Sequence, residues 1–207
     1  MKELVLASGN PGKLRELTAL LAPLGIRVIA QDALGVPEAE EPHATFLENA
    51  LAKARHAARQ TGLPTLADDS GLCVDILQGA PGVHSARYAG EPKSDARNNA
   101  KLLADLADTP HRRARFICVL VLTRHAEDPC PLFAEGQWQG EILLAPKGTG
   151  GFGYDPLFWD AHCQKSAAEL DPATKNTRSH RGQAIQHLLK KLVLADGNCP
   201  SDNCQGK

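Results

Sequence analysis

Apolar positions open the chain as a short continuous run and then change period. Leu4-Val5-Leu6-Ala7 is long enough for a buried strand. Ser8-Gly9-Asn10-Pro11-Gly12-Lys13 breaks it, and Leu14, Leu17, Leu21 and Leu24 return at helical spacing. Asn10 reads as an N-cap, with Pro11 at the first helical position, where its missing N–H costs nothing. The chain therefore begins strand, tight loop, helix N-terminus. A second strand is predicted over Arg27-Val28-Ile29-Ala30.

Thr45-Phe46-Leu47-Glu48 has the Thr-x-x-Glu form of a capping box, and the Ala-rich segment behind it reads as a helix to Arg59, stopped at Thr61-Gly62. Residues 63–67 read as a strand ending in Asp68-Asp69-Ser70-Gly71, with apolar character resuming over 73–77. Gly79-Ala80-Pro81-Gly82 reads as a loop, and Ser94 caps a helix carrying Leu102, Leu103 and Leu106. Residues 116–122 form a continuous β-branched-rich run, the pattern of a strand covered on both faces. Residues 132–138 and 141–144 are two further strand candidates, 148–153 is glycine-rich, and 154–159 looks extended. A final helix places Ile185, Leu188, Leu189 and Leu192 on one face. No internal repeat is present. The mixture predicts an α/β fold with a mixed sheet.

Composition narrows the function classes. The 207 residues are 43% hydrophobic and 23% charged, close to globular averages. Lys+Arg of 23 against Asp+Glu of 24 gives a net charge of −1, which argues against a nucleic-acid partner. No apolar run approaches the ~20 residues of a membrane span, so no membrane partner is expected either. The N-terminus turns polar too soon for a signal peptide. The expected location is cytoplasmic. Residues 1–195 are expected to form one domain, and 196–207, which lacks periodicity, a mobile tail. The cysteines at 73, 118, 130, 163, 199 and 204 show no C-x-x-C spacing and read as reduced and structural.

Two glycine motifs need sorting. Gly148-Thr149-Gly150-Gly151-Phe152-Gly153 matches G-x-G-x-x-G, but Tyr154-Asp155-Pro156 follows where a dinucleotide fold needs a helix. Ser8 to Lys13 lacks the P-loop spacing, with Leu14 where a hydroxyl should hold magnesium. Its physics is nonetheless similar. Backbone N–H groups at a helix N-terminus with a Lys in the first turn favour an anion, and that Lys is disfavoured there unless something negative faces it. Asp68-Asp69-Ser70-Gly71 is by itself an ordinary turn sequence; at a turn the two carboxylates could also converge on a hard cation, with Glu40 and Glu41 adding to the cluster. Lys53 shares a helix face with Asn49. Lys175, Ser179, His180 and Arg181 gather donors ahead of the last helix, and Phe152 and Tyr154 supply aromatic surface. Acids for a metal, lysines for phosphates and donors with aromatics for a base together favour a magnesium nucleotide.

In order along the chain, these stretches resemble the inosine triphosphate pyrophosphatase family. The similar segments are Leu-Ala-Ser-Gly-Asn-Pro-Gly-Lys (6–13), Thr-Phe-Leu-Glu-Asn-Ala (45–50), Ala-Asp-Asp-Ser-Gly-Leu (67–72), Gly-Ala-Pro-Gly-Val-His-Ser-Ala-Arg-Tyr-Ala-Gly (79–90), Gly-Gly-Phe-Gly-Tyr-Asp-Pro (150–156) and Ser-His-Arg-Gly (179–182). The likeness covers roughly 3–194; Asn176-Thr177-Arg178 departs from close bacterial relatives. The resemblance implies an elongated α/β protein of two lobes flanking a substrate cleft, working as a homodimer. It implies hydrolysis of ITP, dITP, XTP and dXTP to the monophosphate and pyrophosphate with Mg2+. Ser8, Gly9, Asn10, Pro11, Gly12 and Lys13 would hold the triphosphate, assisted by Lys53. Asp69 would accept the proton and bind metal, with Asp68, Glu40 and Glu41 near the ion. Ser70 would touch substrate. Phe152, Gly153, Tyr154, Asp155, Lys175, His180 and Arg181 would form the base pocket.

Overall fold

A computed structural model describes residues 2–195; the expected tail over 196–207 lies outside the described residues. Strand β1 (Glu3–Ala7) leads into helix α1 (Pro11–Leu21), where Asn10 Oδ1 accepts the N–H groups of Gly12 and Lys13. The predicted cap is the observed one. Next come β2 (Arg27–Ala30), α2 (Phe46–Thr61), β3 (Thr65–Val74), α3 (Asp95–Asp105), β4 (Arg113–Thr123), β5 (Leu132–Ile142), β6 (Phe158–Asp160), β7 (Lys165–Ser166), α4 (Pro172–Arg178) and α5 (His180–Ala195). Thr45 and Ser94 cap α2 and α3 as their sequences predict, and Gly62 ends α2 at φ +68°.

The sheet is mixed, seven-stranded, in the order β2-β1-β3-β4-β5-β6-β7. β1 pairs in parallel with β2 and β3; the remaining pairs are antiparallel. Side chains alternate between faces, and the core divides accordingly. Leu4, Leu6, Leu66, Leu120 and Leu122 meet α1 and α5 on one face. Val5, Ala7, Ala67, Val119 and Val121 meet the alanines of α2 on the other. Farther along, Leu72, Phe116, Trp138 and Phe158 pack with Leu102 and Leu106 of α3.

Three local expectations are corrected. Asp68-Asp69-Ser70-Gly71 is not a strand end: β3 continues through it, paired residue by residue with β4. The candidates at 132–138 and 141–144 merge into a single strand, β5, which ends at Ile142 and leaves 143 and 144 outside it. Residues 154–157 are turns rather than extended, because Asp155 Oδ2 accepts the Phe152 N–H and Tyr154 O accepts from Leu157 and Phe158.

Gly136 of β5 sets how closely α5 lies on the sheet. A Cβ there would collide with His180 O and Ala184 N, both backbone. Gly136→Ala is expected to lower stability by about 1–3 kcal/mol, the usual range for overpacking, and denaturant unfolding checks it. An unchanged midpoint would mean α5 slides freely.

Candidate functional site

β1 and β3 pair only as far as Ala7 and Ala67, whereas β3 runs on to Val74. Beyond that point no strand continues along this edge until Leu72–Val74, where the 80–85 segment bonds to it. A cleft of about 710 Å³ is lined by Asp69, Ser70 and Gly71 there. Ser8, Gly9, Asn10, Pro11, Lys13, Glu40, Glu41, Lys53, Asp69, Ser70, Phe152, Gly153, Tyr154, Asp155, Lys175, His180 and Arg181 all line this cleft, so it gathers nearly every candidate. Gly12 backs onto it: a Cβ would meet the Phe152 ring.

Because β3 is a strand here, its adjacent aspartates face opposite ways. Asp68 shares the face of Leu66 and Leu120 and meets α1 and α5. Its carboxylate pairs with Lys13, accepts Ser70 Oγ at 2.6 Å and Cys118 Sγ at 3.0 Å, and lies 3.3 Å from Arg181 Nε. Burial alone would raise its pKa, but Lys13, Arg181 and Ser70 outweigh that and hold it well below 3.8. Lys13 thus has the negative partner that its place in the helix requires.

Asp69 faces α2. Lys53 Nζ donates to Asp69 Oδ1 at 3.0 Å and to Glu41 Oε1 at 2.6 Å. Asp69 Oδ2 is buried without a hydrogen-bond partner. Burial raises the Asp69 pKa, with Lys53 and Lys13 opposing. Burial also resists charge on Glu41 and Lys53, but their mutual attraction prevails, lowering one and raising the other. The loop carrying Glu41 is tied to α2 by Asn49, whose side chain pairs with both backbone groups of His43 at 3.0 and 3.1 Å. Glu40 is exposed beside it. The four acids expected around a cation therefore separate: Asp69 and Glu41 flank one ammonium, and Asp68 stands behind the strand. Among the described residues no cluster of three His, Cys, Asp or Glu side chains has the arrangement of a metal site.

A neighbouring part of the lining is aromatic and cationic. The Phe152 ring lies 5.1 Å from Lys175 Nζ and 5.7 Å from Arg181 Cζ. Lys175 donates to Asp155 Oδ2 at 2.7 Å and to Glu16 Oε1 at 2.9 Å; Arg181 also pairs with Glu16. His180 stacks on Phe116 at 4.8 Å, with its Nδ1 buried and unpartnered. Burial and the neighbouring Arg181 push its pKa well below 6.5, so the ring is neutral and can both donate and accept. Tyr154 donates its hydroxyl to Ser85 O at 2.9 Å and presents ring rather than polar tip. Gly153 is pinned by Asp95 and Asn99 of α3.

α4 is fastened at its C-terminal end. Asp160 Oδ2 accepts Trp138 Nε1 and Arg178 Nε, both at 2.8 Å, and Oδ1 accepts Arg178 Nη2 at 3.2 Å and the N–H groups of His162 and Cys163. Burial opposes ionisation, yet these donors bring the Asp160 pKa down to about 2. A depressed carboxylate contributes stability above its unfolded pKa of ~3.9, and that contribution disappears as pH falls through the folded value. The protein is therefore expected to lose stability between about pH 4 and pH 2, and Arg178→Ala to show a shallower loss there. Urea midpoints across that window check it; parallel profiles would dissociate Arg178 from the titration.

Glu16, Arg87 and Phe116 were not singled out by sequence reasoning. Glu16 stands three residues after Lys13, so the two share a helix face; that spacing was its only local signal. Arg87 sits within 79–90 and reaches Glu41 at 3.5 Å.

Comparisons with known proteins show what the chain is similar to. The model of the Ham1 family matches residues 4–191. The dITP/XTP pyrophosphatase of Aromatoleum aromaticum is 63% identical over 192 residues, spanning 93% of this chain and 97% of its own. That of Ralstonia nicotianae is 61% identical, spanning 94% and 98%. A solved HAM1 protein from Coxiella burnetii superposes with a TM-score of 0.86 at 52% identity, covering 94% of this chain and all of its own.

Proposed function

Starting from the fact that this chain belongs to the Ham1 family, we propose that it hydrolyses non-standard purine nucleoside triphosphates (ITP, dITP, XTP and dXTP) to the monophosphate and pyrophosphate. The observation that carries the reading is the gathering of lysines, a buried acid and an aromatic face with its cations in one cleft. Lys13 and Lys53 supply ammonium groups suited to a triphosphate, and Phe152, flanked by Lys175 and Arg181, supplies an aromatic face suited to a base. Asp69, with one oxygen free, lies beside Lys53.

Asp69 accepts a proton from water as the water oxygen bonds to the α-phosphorus; the bond from that phosphorus to the bridging oxygen breaks, and pyrophosphate leaves. Lys13 and Lys53 stabilise the charge moving onto the leaving group. The donor set also fits a divalent cation, for which magnesium is the proposed ion. Asp69 Oδ2 and Glu41 are hard oxygen donors, and Mg2+ is commonly held by one or two carboxylates completed by substrate phosphates. When bound, the ion acidifies water and withdraws charge from phosphate oxygens. Asp69 and Glu41 would hold it. Homodimeric assembly and a cytoplasmic location complete the proposal; among the described residues no helix is long and apolar enough to cross a membrane.

Purine and pyrimidine triphosphates assayed with pyrophosphate and phosphate both quantified test this. Pyrophosphate release fastest with ITP, dITP and XTP is the expected result. Stepwise phosphate release, or faster turnover of modified pyrimidine nucleotides, would overturn it.

A further inference from the structure

Lys175, His180 and Arg181 come from two helices that meet at Ser179, with Arg178 the last residue of the first. Arg178 does not line the cleft. Its guanidinium instead grips Asp160 through two nitrogens, at 2.8 and 3.2 Å, and Asp160 is only 1% exposed. A planar fork on a carboxylate fixes direction as well as distance. Asp160 is itself immobilised by Trp138 and by the turn at 162–163. Trp138 in turn packs on Phe158 at 5.0 Å and lies 6.5 Å from His180 in near-parallel orientation. The junction of α4 and α5 is thus anchored to the sheet on the side away from the substrate.

From this arrangement we propose that Arg178 is a positioning residue for nucleobase selection: its pairing with Asp160 fixes the α4–α5 junction and so the placement of Lys175, His180 and Arg181. The proposal rests on the reading of the Phe152 face as the base pocket. Without the clamp the junction can rotate, and donors that must meet a base within a fraction of an ångström lose their register. Lys53 and Asp69, held by α2 and β3, pair with neither helix of the junction.

The test compares Arg178→Ala and Arg178→Lys with the parent enzyme, measuring kcat and KM for ITP and ATP and the melting temperature. The alanine variant folds because Asp160 keeps Trp138 and two backbone N–H donors. Its KM for ITP is expected to rise about tenfold with kcat within about twofold, the signature of lost binding rather than lost chemistry. ATP turnover stays level, so the ITP-to-ATP ratio narrows about tenfold. Lysine, a point charge, fails to restore it. A ratio unchanged in both variants, both substrates declining together with melting temperature, or full rescue by lysine would overturn the proposal. A parent enzyme that does not prefer ITP to ATP would instead overturn the base-pocket reading, and the proposal with it.

Discussion

Asp69→Asn is expected to retain fold and nucleotide binding while lowering kcat by at least ~10²-fold, the scale of a lost general base. The amide keeps the shape of the carboxylate and can still accept from Lys53 through its oxygen, so β3 and α2 stay in place. What disappears is the free Oδ2 acceptor, buried and without a partner. Asp68 cannot take over. It lies on the opposite face, and its carboxylate is engaged by Lys13, Arg181, Ser70 and Cys118. Single-turnover rates together with nucleotide affinity decide the matter: near-normal turnover would place the base elsewhere, and lost affinity with normal chemistry would make Asp69 a binding group.

Arg181→Ala should act on two levels at once. Arg181 is 2% exposed and pairs with both Asp68 and Glu16. Removing it leaves buried carboxylates short of a partner, which costs about 3–5 kcal/mol and lowers the melting temperature by on the order of 10 °C. Hypoxanthine presents a keto acceptor at position 6, and adenine presents an amino donor there. A guanidinium has only donors, so it suits the first and opposes the second. Lost ITP hydrolysis with ATP hydrolysis little changed is the expected pattern. Melting curves and both specificity constants measure it; an unchanged ratio in a folded variant would make Arg181 purely structural.

Helix starts were legible because capping is local chemistry: Asn10, Thr45 and Ser94 each declare their helix within four residues. The candidates were legible as a set that lines one cleft for a different reason, since the chemistry they were chosen for draws on few residue types. Strand continuity was not. Asp, Ser and Gly favour turns in isolation, and only tertiary context explains why they run straight through β3. Gly71 is small because the backbone of Gly82 and the Ser85 hydroxyl press against it, and Asp68 is tolerated inside because cations from α1 and α5 converge on it. β5 was split for a similar reason. Gly140 looks like a break, but its missing side chain is where Trp159 O and the Phe158 ring cross the strand. Glu16 escaped notice because its partners, Lys175 and Arg181, are more than 150 positions away along the chain.

The parity of β3 bears on how this gene can change. Asp68 and Asp69 serve opposite faces, so a slip of one position would give one face an acid and leave the other with Ala67 or Ser70. Codon-by-codon loss or gain between Thr65 and Asp69 therefore either empties the Asp69 position or strips the cations of α1 and α5 of their counter-charge, with no intermediate that supplies both. Connections that pair with no neighbouring strand carry no such parity. Length variation in descendants of this sequence should collect in such connections, while the span from Thr65 to Asp69 changes only by substitution.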